Sequence, residues 1–104
     1  MKTKLQIEFD FEQARRRAAE LEEIAENISQ LSRRDIENAK ADLSSAWKGE
    51  SAQHFQKKTE ILQEDIRGTA KELNAIAAAI REIAAKIYAA EMEALRIATQ
   101  REYI

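Results

Sequence analysis

The chain has no cysteine and no proline, and only two glycines and one histidine among 104 residues. Without cysteine there is no disulfide and no thiolate nucleophile, and the redox compartment leaves no mark. Without proline, nothing breaks a helix by deleting an N–H donor. Two glycines are too few for a phosphate-cradling Gly-rich loop. His54 is alone, so no His/Cys cluster exists for zinc, and it falls in the first turn of an expected helix, where surface or capping duty is usual. Long apolar runs are missing too. The longest covers residues 75–80 and ends at Arg81 and Glu82, far short of the roughly 20 residues a membrane-spanning helix requires. In MKTKLQIEFDFEQ, Glu8, Asp10 and Glu12 stand where an ordinary secretory signal has its apolar core. The net charge of −2 gives no general attraction to nucleic acid or acidic membranes. The basic runs Arg15-Arg16-Arg17 and Arg33-Arg34 have acidic neighbours and read as solvated helix faces.

What remains is a chain of alanine, glutamate, isoleucine, lysine and arginine with 35% charged residues, a composition of long helices. Residues 5–11 alternate between apolar Leu5, Ile7, Phe9, Phe11 and polar Gln6, Glu8, Asp10, a period of two that predicts an extended arm over residues 1–9. Asp10 and Gln13 then fit a capping box, and helix one is expected over residues 10–46. Ala14, Ala18, Leu21, Ala25, Ile28, Ile36, Ala39, Leu43 and Ala46 fall on one face of it, with a weak point at Ser32-Arg33-Arg34-Asp35. Helix two is expected over residues 51–98, with a tail at residues 99–104. Its apolar positions hold a heptad repeat from Ala52 through Phe55, Leu62, Ile66, Leu73, Ile76, Ile80, Ile83 and Ile87 to Ala94 and Ile97. Alanines 70, 77, 84 and 98 widen this stripe, and a face that broad belongs to a helical bundle. Gly68 keeps the phase of the repeat, so helix two is expected to run through it, and the missing side chain would let a neighbouring helix approach.

The only tryptophan and one glycine meet mid-chain in Ala46-Trp47-Lys48-Gly49-Glu50-Ser51. Gly49 suits the left-handed position past a helix end, and Ser51 suits an N-cap. The stretch over residues 47–50 therefore reads as a tight reversal that makes an antiparallel helix-turn-helix hairpin. At ~1.5 Å per residue the second helix would outrun the first by about three turns, and the arm would fold back over that overhang. Two helices leave much of the stripe of Phe55, Leu62, Ile66, Leu73, Ile76, Ile80, Ile83 and Ile87 uncovered, so a dimer forming a four-helix bundle is expected. A paired-helix fold encloses little volume. No enzyme activity, cofactor, metal or small-molecule ligand is expected.

A W-x-G at the bend of a helical hairpin of about this length, without proline, cysteine or signal peptide, resembles the WXG100 family, the ESAT-6-like proteins. The resemblance covers the whole chain and rests on Trp47, Gly49 and the hairpin they join. It implies an antiparallel homodimer or heterodimer, with another small helical protein or the helical N-terminal region of a larger toxin as partner. It also implies a substrate or co-secreted targeting partner of type VII secretion, cytoplasmic before export and read by a secretion ATPase. In the family a Tyr-x-x-x-Asp/Glu tail completes the export signal. Here Met92 stands at the fourth position after Tyr88, between Glu91 and Glu93, so the strict form is missing. Ile87, Glu91 and Ala94 match three places of a related helical pattern whose last place is filled by the small Ala98. The alternative from the residues alone is an intracellular coiled-coil adaptor; a membrane-surface amphipathic protein is disfavoured by the near-neutral charge.

Overall fold

The computed structural model describes residues 1–102, and these are helical almost throughout, with no strand among them. Helix α1 spans Lys4–Gln30, a π-helical turn follows over Leu31–Ile36, α2 continues over Glu37–Ala46, and α3 runs over Glu50–Glu102. The tail expected at residues 99–104 is helical to Glu102, and its last two residues lie outside the described ones.

The expected extended arm is corrected. Residues 4–11 are the first turns of α1, because a capping box forms seven residues earlier than Asp10. The Thr3 Oγ1 accepts the Gln6 N–H at 3.2 Å, and the Gln6 side-chain oxygen accepts the Thr3 N–H at 2.9 Å. Two otherwise orphaned donors are thereby satisfied reciprocally. The alternation of Leu5, Ile7, Phe9 and Phe11 then resolves at helical spacing: Ile7 is buried, Phe11 half-buried, and Leu5 and Phe9 face solvent. The overhang expected at the far end of helix two remains, since Lys2 near the chain start reaches only Glu91 while α3 continues to Glu102.

The chain forms two compact units. One contains residues 1–21 with residues 75 onward, the other Glu22–Asn74. In the first, the most buried side chains are Ile7, Ala18, Ala77 and Ala84. In the second they are Ala25, Ala52 and Ala70, with Ser32 and Gln63. Both seams are made of small residues, which let two helix backbones approach closely, and no large side chain is fully buried among the described residues. Of the alanines expected to flank the stripe, Ala70, Ala77 and Ala84 are thus its innermost members, and Ala98 is half-buried. Each buried methyl contributes only about 0.8 kcal/mol, against about 1.5–3 kcal/mol for a fully buried Leu or Ile.

The weak point in helix one is the π-helical turn. It inserts one residue and leaves backbone carbonyls without their usual α-helical donor. The Ser32 carbonyl is answered from α3 by the Gln63 side-chain amide at 3.2 Å. The same amide donates to Glu37 Oε2 at 2.8 Å, while Gln63 Oε1 accepts from Lys40 Nζ at 3.2 Å. No buried side-chain polar atom lacks a partner among the described residues. Gln63 draws the Glu37 carboxyl below its ordinary range, with Lys40 adding to the effect.

Helix α3 is continuous through Gly68, as the unbroken heptad predicts. The close approach expected there does not occur within the chain: a Cβ added at Gly68 would meet nothing within 4 Å. Gly68→Ala should therefore stabilise the protein by about 1 kcal/mol through helix propensity alone. Ala77→Leu, at a fully buried seam position, should cost about 1–3 kcal/mol by overpacking. Gln63→Ala should cost about 1–3 kcal/mol by stranding the Ser32 carbonyl. Urea unfolding followed by helical circular dichroism reads all three.

Candidate functional site: the Trp-x-Gly bend and the exposed helix faces

Helix α2 stops at Ala46 because Trp47 leaves the helical region (φ −127°, ψ 118°), its N–H still donating to the Leu43 carbonyl at 2.8 Å. Gly49 has φ +110°, a conformation that L side chains rarely adopt. Its carbonyl accepts the Gln53 N–H at 3.1 Å, the first bond into α3. Gly49 thus ends one helix and opens the next. Ser51, expected as the N-cap, lies inside the first turn of α3, which starts at Glu50. The Trp47 indole lies beside the Phe55 ring with centroids 5.9 Å apart and planes inclined by 52°. The amide of Gln56 donates to Ser44 Oγ across the same bend. Trp47 and Phe55 both remain exposed, so the aromatic pair marks the bend and also offers a surface.

Within the Glu22–Asn74 unit an open apolar groove lies between helices. Ile36, Ala39, Phe55 and Leu62 line it, with Lys40, Lys58 and Asp35 at its margin. Leu62 is half exposed, and so is Ile61 beside it. In the other unit Ile76, Ile83 and Ile87 are each more than half exposed, at 51%, 57% and 51%. The expected interface residues therefore divide. Phe55, Leu62, Ile76, Ile83 and Ile87 project outward, whereas Ile66, Leu73 and Ile80 are half-buried.

The candidate tail residues sit in a different setting. The Tyr88 ring packs on Phe11 with centroids 4.7 Å apart and planes at 34°, and the Arg15 guanidinium lies 5.8 Å from the Phe11 centroid. Glu91 Oε1 accepts from Lys2 Nζ at 3.1 Å, and Lys2 also bonds Asp10 Oδ2 at 2.8 Å. The Lys2 ammonium is held above its ordinary range by its hydrogen bond to Asp10 first and to Glu91 second. Ile87, Tyr88 and Glu91 share one small cleft with Lys2, Ile7 and Phe11. Ala94 is exposed and does not line it. A linear reading of residues 87–94 misses Lys2 and Phe11. The Thr3-x-x-Gln6 capping box was the available signal that a helix begins at Lys4 and carries Phe11 to Tyr88.

The fold and the bend define a class: small helical hairpins that reverse at a Trp-x-Gly. A family model described as proteins of 100 residues with WXG matches residues 6–92, and the chain belongs to this WXG100 family. No curated protein and no solved structure gives a significant match. Membership implies type VII secretion and pairing with a small helical partner. No helix among the described residues is long and apolar enough to cross a membrane.

The aromatic pair at the bend gives a direct readout. Phe55→Ala should expose the lone indole further, and Trp47 emission should shift to longer wavelength while helical content holds. Gly49→Ala should cost about 1–2 kcal/mol from its positive φ alone, since the added methyl meets no neighbour within 4 Å. Chemical denaturation followed by Trp47 emission checks both.

Proposed function

We propose that this chain is a non-enzymatic substrate or co-secreted targeting partner of type VII secretion that works as a dimeric helical bundle. The observation that carries the reading is the exposed row of large apolar side chains on α3 in a WXG100 hairpin whose own seams are filled with alanine. A helix with alanine toward its mate and isoleucine toward water is built for a second interface. The partner is a second copy, another small helical protein, or the helical N-terminal region of a larger secreted protein. The bundle travels from the cytoplasm, and a secretion ATPase reads it.

The recognition surface is composite. Tyr88 and Glu91 are presented with Phe11 and Lys2 in one cleft, so the tail pattern is completed in space by the start of α1. The strict tail motif is absent, and this neighbourhood supplies the aromatic and charged groups around Tyr88. The ion pair itself is exposed and contributes little to stability. Its use is to position Glu91.

Export from a host with an active type VII system tests the reading. The intact chain should appear in the culture medium, and Tyr88→Ala with Glu91→Ala should cut its export at least tenfold while circular dichroism stays helical. An intact chain that is expressed and folded but never leaves such a host points to the intracellular adaptor reading.

A further inference from the structure

We propose that a cleft beside the π-helical turn binds a phosphate group between Arg33 and Arg67. The cleft lies wholly within the Glu22–Asn74 unit and does not depend on the secretion reading. Ser29, Ser32, Arg33, Ile66 and Arg67 line it, and its volume is about 220 Å³. Ser32 and Arg33 belong to the π-helical turn, Ser29 precedes it, and Ile66 and Arg67 come from α3, just after Gln63. Such turns occur often at functional sites, because the extra residue takes side chains and carbonyls off the regular helical lattice.

The polar side chains on this cleft are all donors, and none is acidic. The Ser32 carbonyl, an acceptor that the turn leaves open, is already taken by Gln63. A hydroxyl within a helix commonly donates back to a carbonyl of the preceding turn. Ser45, Thr59 and Thr99 do so here. The hydroxyls of Ser29 and Ser32 make no such bond among the described residues, although Ser29 is half-buried and Ser32 buried. Arg67 likewise has no ion pair among the described residues. Arg33 bonds Glu26 on its own helix at 3.0 Å, and both side chains are exposed. Pairs of that kind are weak, and Glu26 keeps the Gln30 amide at 3.2 Å when Arg33 turns away. Two guanidinium forks and two free hydroxyls suit the oxygens of a phosphate, which arginine binds in bidentate fashion. Ile66 adds a half-buried apolar wall, which suits the organic part of a small phosphomonoester. The basic run Arg33-Arg34 therefore divides: Arg34 lines a separate hollow with Asn27, Ile28 and Asp35.

Titration of the full, isotope-labelled chain with inorganic phosphate at constant ionic strength, followed by backbone and arginine Nε–H NMR signals, tests this. The cleft is open to water, so the Kd should be on the order of 1 mM. Saturable shifts should gather at residues 29–33 and 66–67. Arg33→Gln and Arg67→Gln should each weaken binding about tenfold, the loss expected for a charge-assisted hydrogen bond. Arg67→Lys, which keeps the charge and loses the fork, should also weaken it, and Arg34→Gln should not. Circular dichroism checks that each variant stays helical. Glycerol phosphate separates the two sources of the group. Tighter binding than inorganic phosphate assigns a monoester seated on Ile66, and equal binding assigns free phosphate. Shifts that never saturate and spread over all basic residues, or equal losses in Arg34→Gln and Arg67→Gln, overturn the proposal.

Discussion

Everything in this protein depends on a core built mostly of alanine. Ala18, Ala77 and Ala84 in one unit, and Ala25, Ala52 and Ala70 in the other, occupy the line where the helices meet. Small side chains bring two helix backbones close, and Ile7 is the one large apolar residue among the buried positions. The larger residues at neighbouring heptad positions are then displaced sideways. The exposure of Leu62, Ile76 and Ile83 is therefore a consequence of how the hairpin closes. A seam with less apolar volume also contributes less to folding.

Polar groups supply what the small seam cannot, which is specificity. A line of alanines is nearly featureless and tolerates sliding. Gln63 breaks that degeneracy by bonding the Ser32 carbonyl, Glu37 and Lys40 together at a π-helical turn. A buried amide with every partner satisfied ties one position of α3 to one position of the opposite helix, the use for which buried polar residues in helical bundles are best attested. In the other unit Phe11 on Tyr88 and Lys2 on Glu91 serve as its own markers. The bend adds a third, through Trp47 on Phe55.

These features bear on function through one surface. The exposed surface carries two kinds of feature. The outward apolar row is suited to burial against a helix. The cleft of Tyr88, Glu91, Phe11 and Lys2 stays partly open and mixes aromatic with charged groups. Sites of the first kind contribute affinity, and those of the second kind contribute discrimination.

The helical hairpin, the reversal at Trp47 and Gly49, the run of α3 through Gly68 and the irregularity near Ser32 were all legible in the residues. Each follows from local physics: heptad spacing, the absence of proline, one glycine where φ must turn positive. The start of helix one was not. Residues 5–11 satisfy a period of two as well as a helical one, and only the Thr3–Gln6 capping box decides between them. Nor could the stripe be divided by inspection, because alanine and isoleucine are both apolar and sit on adjacent heptad positions. Which of them faces the partner helix depends on how closely two backbones approach, a quantity that belongs to the packed pair and to neither helix alone. The neighbours of Tyr88 and Glu91 come from the far end of the chain, so tertiary structure alone could supply them.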